Sequence, residues 1–201
     1  MNTPRPATVA GNSSFPHLLH DEDGRILLQI ARSEIVARLE QQSPVPVLAP
    51  LWMELPGASF VTLTTEGELR GCIGSLEAIR PLKTDIRENA LAAAFMDPRF
   101  LPLRREELER IRIEVSLLSL PEPVMARCEA EAVAALRPGI DGVIFEYMRY
   151  RSTFLPQVWE QLPDPSQFLA YLRNKAGLPS DFWAEEVRMF RYTVRKWKEE
   201  T

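Results

Sequence analysis

The sequence predicts an α+β fold, a largely antiparallel β-sheet flanked by helices. Three observations predict it. Residues Phe60–Thr65 and Glu68–Ile73 are β-rich runs on either side of Glu66-Gly67, which is a hairpin pattern. Ile111 to Leu120 alternates apolar Ile111, Ile113, Val115 and Leu117 with polar Arg112, Glu114 and Ser116. Helical stripes fall between such strands without strict one-to-one alternation, which favours α+β over a parallel α/β sheet. A chain of 201 residues is long enough for one domain with a full core, or one with an added smaller lobe.

Residues 1 to 20 are polar, carry prolines at 4, 6 and 16 and show no sustained period, so they read as a flexible N-terminal arm. The domain is expected over residues 21–195, with 196–201 as a C-terminal tail. Ile26, Leu27, Ile30, Ala31, Ile35 and Leu39 recur at three- and four-residue steps and predict a first helix from near Asp21. Pro44 ends it by Ser43, and a proline-rich connection follows around Trp52. After the hairpin, Pro81 suits the first turn of a helix whose stripe is Ile86, Ala90, Ala93 and Asp97. Its four alanines make it thin enough to lie close to a sheet, and Asp97-Pro98 stops it. Pro121 and Pro123 end the strand that begins at Ile111. Further short helices are expected over 129–137, 157–162 and 166–176, the last with Ser166 as N-cap and Gly177 as C-cap. Val143–Tyr147 and Ser152–Leu155 suggest a second hairpin, with aromatics of Phe154–Trp159 locking it onto a helix. Val187–Val194 reads as a final strand.

Composition excludes several classes. The net charge is −4, which argues against a general nucleic-acid binder. Arg188, Arg191, Arg195, Lys196 and Lys198 are flanked by acids and read as a solvated strand end. The most apolar uncharged stretch, Ser43–Met53, is too short and too proline-broken to cross a bilayer. The N-terminus lacks the layout of a secretory signal. Two cysteines cannot build a disulfide framework, so a reduced, cytoplasmic protein is expected. There is no Walker loop, dinucleotide fingerprint, zincin histidine pair or nucleophile elbow, and neither a cofactor nor a metal site is expected.

The segment with most chemistry is Leu69-Arg70-Gly71-Cys72-Ile73-Gly74. In an extended chain Arg70, Cys72 and Gly74 share one face, and Leu69, Gly71 and Ile73 the other. A cation then lies beside a thiol, with open space above Gly74, as in the floor of a small pocket. A two-residue turn sets Leu63 opposite Arg70 and Val61 opposite Cys72, whereas a bulge at Gly67 shifts the register. Cys72 reads either as a nucleophile or redox thiol activated by Arg70, or as a small buried hydrophobe. A cysteine nucleophile normally needs a histidine base, and His17 and His20 both lie in the arm. Arg70 suits a carboxylate or phosphate, and equally an ion pair with Glu114, which could orient it toward a ligand. Asp97 and Arg99 offer an acid and a base at a cleft edge, or a helix stop with a local salt bridge. Lys175, in a last helical turn, complements the helix dipole.

Several segments together resemble the AMMECR-one domain family. They are FVTLTTEGELRGCIGSLEAIRPL (60–82), NALAAAFMDPRF (89–100), IEVSLLSLPEPV (113–124), LRPGIDGVIFE (136–146) and STFLPQVWEQLPDPSQFLAYLRNKAGL (152–178). They run in order over nearly the whole chain. One departure is Met148-Arg149 in the second hairpin turn, where members often have glycine. The resemblance implies two lobes, a larger and a smaller, with the LRGCIG strand near the cleft between them. It implies company with Memo-like and radical-SAM proteins of the AmmeMemoRadiSam system, and it implies no established reaction. The site expected from the residues themselves takes a small anionic or nucleotide-like ligand through Arg70, Gly71, Gly74, Asp97 and Arg99. Cys72, Arg70 and Glu114 are the catalytic candidates. The alternative is a non-catalytic binding or scaffold module for those partners.

Overall fold

The computed structural model describes residues 20–200. Two antiparallel four-stranded sheets, each with its own helices, form the two lobes. In chain order the elements are α1 (Asp21–Glu40), β1 (Ser59–Thr65), β2 (Glu68–Gly74), α2 (Leu82–Phe95), β3 (Ile111–Leu118) and β4 (Glu122–Val124). Then come α3 (Glu129–Ala135), β5 (Gly142–Tyr147), β6 (Tyr150–Phe154), α4 (Pro165–Ala176), β7 (Arg188–Tyr192) and β8 (Val194–Lys198). The first sheet has the order β2-β1-β3-β8 and the second β4-β7-β5-β6.

The apolar stripe of α1 and the alanine-rich face of α2 cover one face of the first sheet. Leu27, Ile30, Ile35, Ile86, Ala90 and Ala93 meet Val61, Leu63, Ile113 and Val115 there, all buried. The other face carries the alternate residues and is polar. In the second lobe Phe168 of α4 stacks on Trp159 (ring centroids 3.8 Å apart) and meets the edge of Phe154. This is the aromatic lock expected for Phe154–Trp159. A third cluster joins the lobes: Ala58 and Leu118 from the first, Ile144 and Tyr192 from the second, with Phe60 packed against them. Burial pushes the Tyr192 hydroxyl up to about 12, while it donates to the Phe154 carbonyl at 3.1 Å.

The β1–β2 turn places Glu66 (φ 54°) and Gly67 (φ 88°) in the left-handed region, as a type I′ hairpin requires. Pairing starts at Thr65↔Glu68 and Thr64↔Leu69, then shifts to Leu63↔Gly71 and Thr62↔Cys72. The extra residue is therefore Arg70, not Gly67, and neither expected register holds as stated. In the second hairpin Met148, with φ 49°, takes the left-handed position usually given to glycine.

The ends of several elements differ from expectation. Asp164, not Ser166, caps α4: its carboxylate accepts the Gln167 N–H at 2.8 Å. Pro165 follows at the first helical position, and Gly177 (φ 88°) closes the helix as expected. The C-terminal pattern is two strands rather than one, broken at Thr193, and the second crosses to the first sheet. Strand pairing runs past Arg195 to Lys198, so residues 196–198 belong to the sheet rather than to a tail. Trp197 of β8 packs so tightly over α1 that a Cβ at Gly24 would lie 2.0 Å from its ring. The arm expected over 1–20 falls, His20 apart, outside the described residues, and so does His17. Among the described residues no helix is long and apolar enough to cross a membrane.

Candidate functional site

Strand β2 lies at the edge of the first sheet, so one side of its backbone has no neighbouring strand. At Cys72 two side chains take that place. The Cys72 N–H donates to Asp97 Oδ2 at 2.8 Å, and the Cys72 carbonyl accepts from Arg99 Nη2 at 3.2 Å. Asp97 and Arg99 are themselves joined: Arg99 Nε donates to Oδ1 at 2.9 Å and Nη2 to Oδ2 at 2.6 Å. Asp97 is only 4% exposed. The Arg99 guanidinium bonded to it, helped by the Cys72 and Arg99 backbone N–H groups, holds its carboxyl well below the usual carboxylate range, against the opposing effect of burial. The same hydrogen bond raises Arg99. The expected local salt bridge is present, and it also clamps the Cys72 backbone.

The half-buried Cys72 side chain points to the polar face. Thr62 Oγ1 donates to its sulfur at 3.3 Å. The strand register aligns Cys72, Thr62, Glu114 and Lys198 in one row across all four strands. Lys196 reaches Glu114 from the same face, at 3.5 Å. Arg112 and Thr64 form the adjoining row.

Three expected roles are corrected. Arg70 does not pair with Glu114. Its Nε and Nη2 grip the two Glu107 oxygens at 2.7 and 3.1 Å, and Nη2 also meets the Leu101 carbonyl at 2.9 Å. The bulge takes Arg70 out of the alternation, and Glu114 sits on β3, beyond the intervening β1. That grip lowers the Glu107 carboxyl. The space above Gly74 is filled: a Cβ there would lie 2.2 Å from the Phe60 ring. Gly71 faces α2 rather than a ligand, and its Cβ would stand 2.2 Å from the Ala93 carbonyl oxygen. This close approach is what lets α2 lie against the sheet edge.

The expected cleft also divides. Two cavities flank the lobe junction, of about 620 and 390 Å³, and no residue of Leu69–Gly74 lines either. Arg70, Arg99 and Phe100 border an open groove of about 790 Å³ on the first lobe, with both guanidinium carbons within 6 Å of the Phe100 ring centre. The structure thus brings Cys72, Asp97 and Arg99 together and separates Arg70 and Glu114. Sequence reasoning missed Thr62, Lys196 and Glu107. The alternation of β1 and β8 carried a signal for the first two, had the strands been paired correctly. His20 starts α1 and donates its backbone N–H to Asp23, far in sequence from the thiol. Among the described residues no group of three or more His, Cys, Asp or Glu could hold a metal ion.

The family model described as AMMECR1 matches residues 28–197. A protein of Aeropyrum pernix is 38% identical over 97% of this chain and 87% of its own. One from Methanothermobacter thermautotrophicus is 38% identical over 90% and 97%. Among solved structures, that of the uncharacterized protein PH0010 from Pyrococcus horikoshii matches with a TM-score of 0.76. It is 34% identical and the match covers 90% of this chain and 94% of that one.

Proposed function

This chain belongs to the AMMECR1 family, and on that footing we propose that it binds a small anionic molecule on the polar face of the first sheet, with the Cys72 sulfur as its reacting group. The observation that carries the reading is the asymmetry at Cys72. Its backbone is fixed on both polar groups by Asp97 and Arg99, while its sulfur is half-buried and receives one weak hydrogen bond. Fixing a reactive atom from behind while leaving it approachable is what a preorganised site needs. The Thr62 hydroxyl donates to the sulfur and fixes its position on the polar face. The Arg99 guanidinium lies beside Cys72 and bonds its carbonyl at 3.2 Å. Arg112, Lys196 and Lys198 outnumber Glu114 on this face, which supports an anion. These cations replace Arg70, whose fork is occupied by Glu107.

A second reading, a docking module for a Memo-like or radical-SAM protein, has one observation in its favour. The uncharged connection after α1 exposes Leu48 and Leu51 by 93% and 89%, beside a groove of about 550 Å³ along α1. One experiment separates the readings: iodoacetamide alkylation of the folded protein as a function of pH, with exposed Cys128 as internal standard. The thiol reading expects Cys72 to be alkylated in the folded protein at least as fast as exposed Cys128 across the pH range, and Thr62→Val to slow it. Labelling of Cys72 only on unfolding overturns that reading and leaves the docking one.

A further inference from the structure

The cavity of about 620 Å³ at the lobe junction lies apart from the thiol. Its walls come from both lobes: Ile140 and Pro156 from the second, Val194 and Lys196 from β8, with buried Trp159 behind them. The volume falls in the range of roughly 300–1,000 Å³ typical of small-molecule sites. The lining is mostly apolar, and Lys196 is its one cation among the described residues. Glu114 holds Lys196 only at 3.5 Å, and Glu114 stands on the sheet face rather than in the cavity. A closer oxygen could take Lys196 over, since Glu114 keeps Lys198 as its cross-strand neighbour. Exposed Glu160 is the cavity's one carboxylate among the described residues, so an anion must settle toward the Lys196 end.

We propose that this cavity binds a small apolar anion, an aromatic or branched carboxylate or sulfonate, with its body against Ile140, Pro156 and Val194 and its charge on Lys196. Because each lobe supplies a wall, the ligand would tie the lobes together. Lys196 also borders the sheet face of the Cys72 reading, but no thiol chemistry enters here, and Ile140 lines only the cavity, so the Ile140 variant tests this site and Cys72 alkylation tests the other.

The test is a fluorescence titration of the full chain with 8-anilino-1-naphthalenesulfonate, an aromatic sulfonate of fitting size. Lys196→Met is expected to weaken binding about tenfold, the equivalent of ~1.4 kcal/mol. Glu160→Gln is expected to tighten it by removing repulsion. Ile140→Trp fills the cavity and is expected to abolish binding; Ile140 is 52% exposed, so the larger ring does not invade the core. Affinity unchanged, within about twofold, in both Lys196→Met and Ile140→Trp would place the dye elsewhere and overturn the proposal. Weaker binding in Glu160→Gln would mean that the site prefers a cation or zwitterion, and would overturn it too.

Discussion

Asp97 satisfies the Cys72 N–H, two groups of the Arg99 side chain and the Arg99 N–H at once. Removing it strands a backbone donor on an edge strand. Asp97→Ala should therefore cost about 2 kcal/mol of folding stability, read by urea unfolding. The pH dependence has a definite sign. Arg99 favours the ionised form, so the folded pKa lies below the unfolded value of about 4. The contribution is complete above that value and shrinks as pH falls toward the folded pKa. The gap between wild type and Asp97→Ala should be flat from about pH 5 to 8 and narrow only below about pH 4. At this scale the DPR segment was legible, because an acid and an arginine two residues apart after a helix stop can find each other locally. The Arg70 partner was not. Alternation put Arg70 and Glu114 on facing surfaces, and one bulged residue sent Arg70 to Glu107 instead.

The least legible element was β8. Its outward residues Lys196 and Lys198 gave residues 196–201 the look of a solvated tail, and its strongest inward signal is the aromatic of Trp197. Yet that ring is 8% exposed and seated on Gly24 of α1. Trp197→Ala should destabilise the protein by about 3–5 kcal/mol, measured by thermal or urea denaturation. A loss near zero would mean that β8 frays in solution. β4 was missed for another reason: three residues, the middle one a proline, carry no period to detect. The long helices α1 and α2 and the strand β3 were legible, since each has an unbroken stripe longer than two turns or three alternations.

Across the whole molecule the lobes are coupled rather than strung together. The chain crosses between them at β3–β4 and again at β7–β8, and the two crossings are bonded to each other: Ser119 N–H to the Thr193 carbonyl and Thr193 N–H to Ser119 Oγ, both at 2.9 Å. The shared cluster of Ala58, Leu118, Ile144 and Tyr192 sits beside that junction. Ile144 is 4% exposed, and Ile144→Ala should lower stability by about 2–4 kcal/mol. Unfolding should remain one transition, with tryptophan fluorescence and far-ultraviolet circular dichroism coincident. Two separated transitions would show that the lobes melt independently. The existence of two lobes was legible through the family resemblance, but their seam was not, because side chains from residues as distant as 58 and 192 build it.

The Asp97–Arg99 pair has a consequence for the behaviour of many copies in one solution. A bare sheet margin invites a strand from another molecule to add on, the first step toward fibrils. At Cys72 both backbone groups that such a strand would need are already taken, by a carboxylate and a guanidinium that act as a two-atom-wide substitute for it. The grip that steadies the thiol thus also closes that margin to intruders.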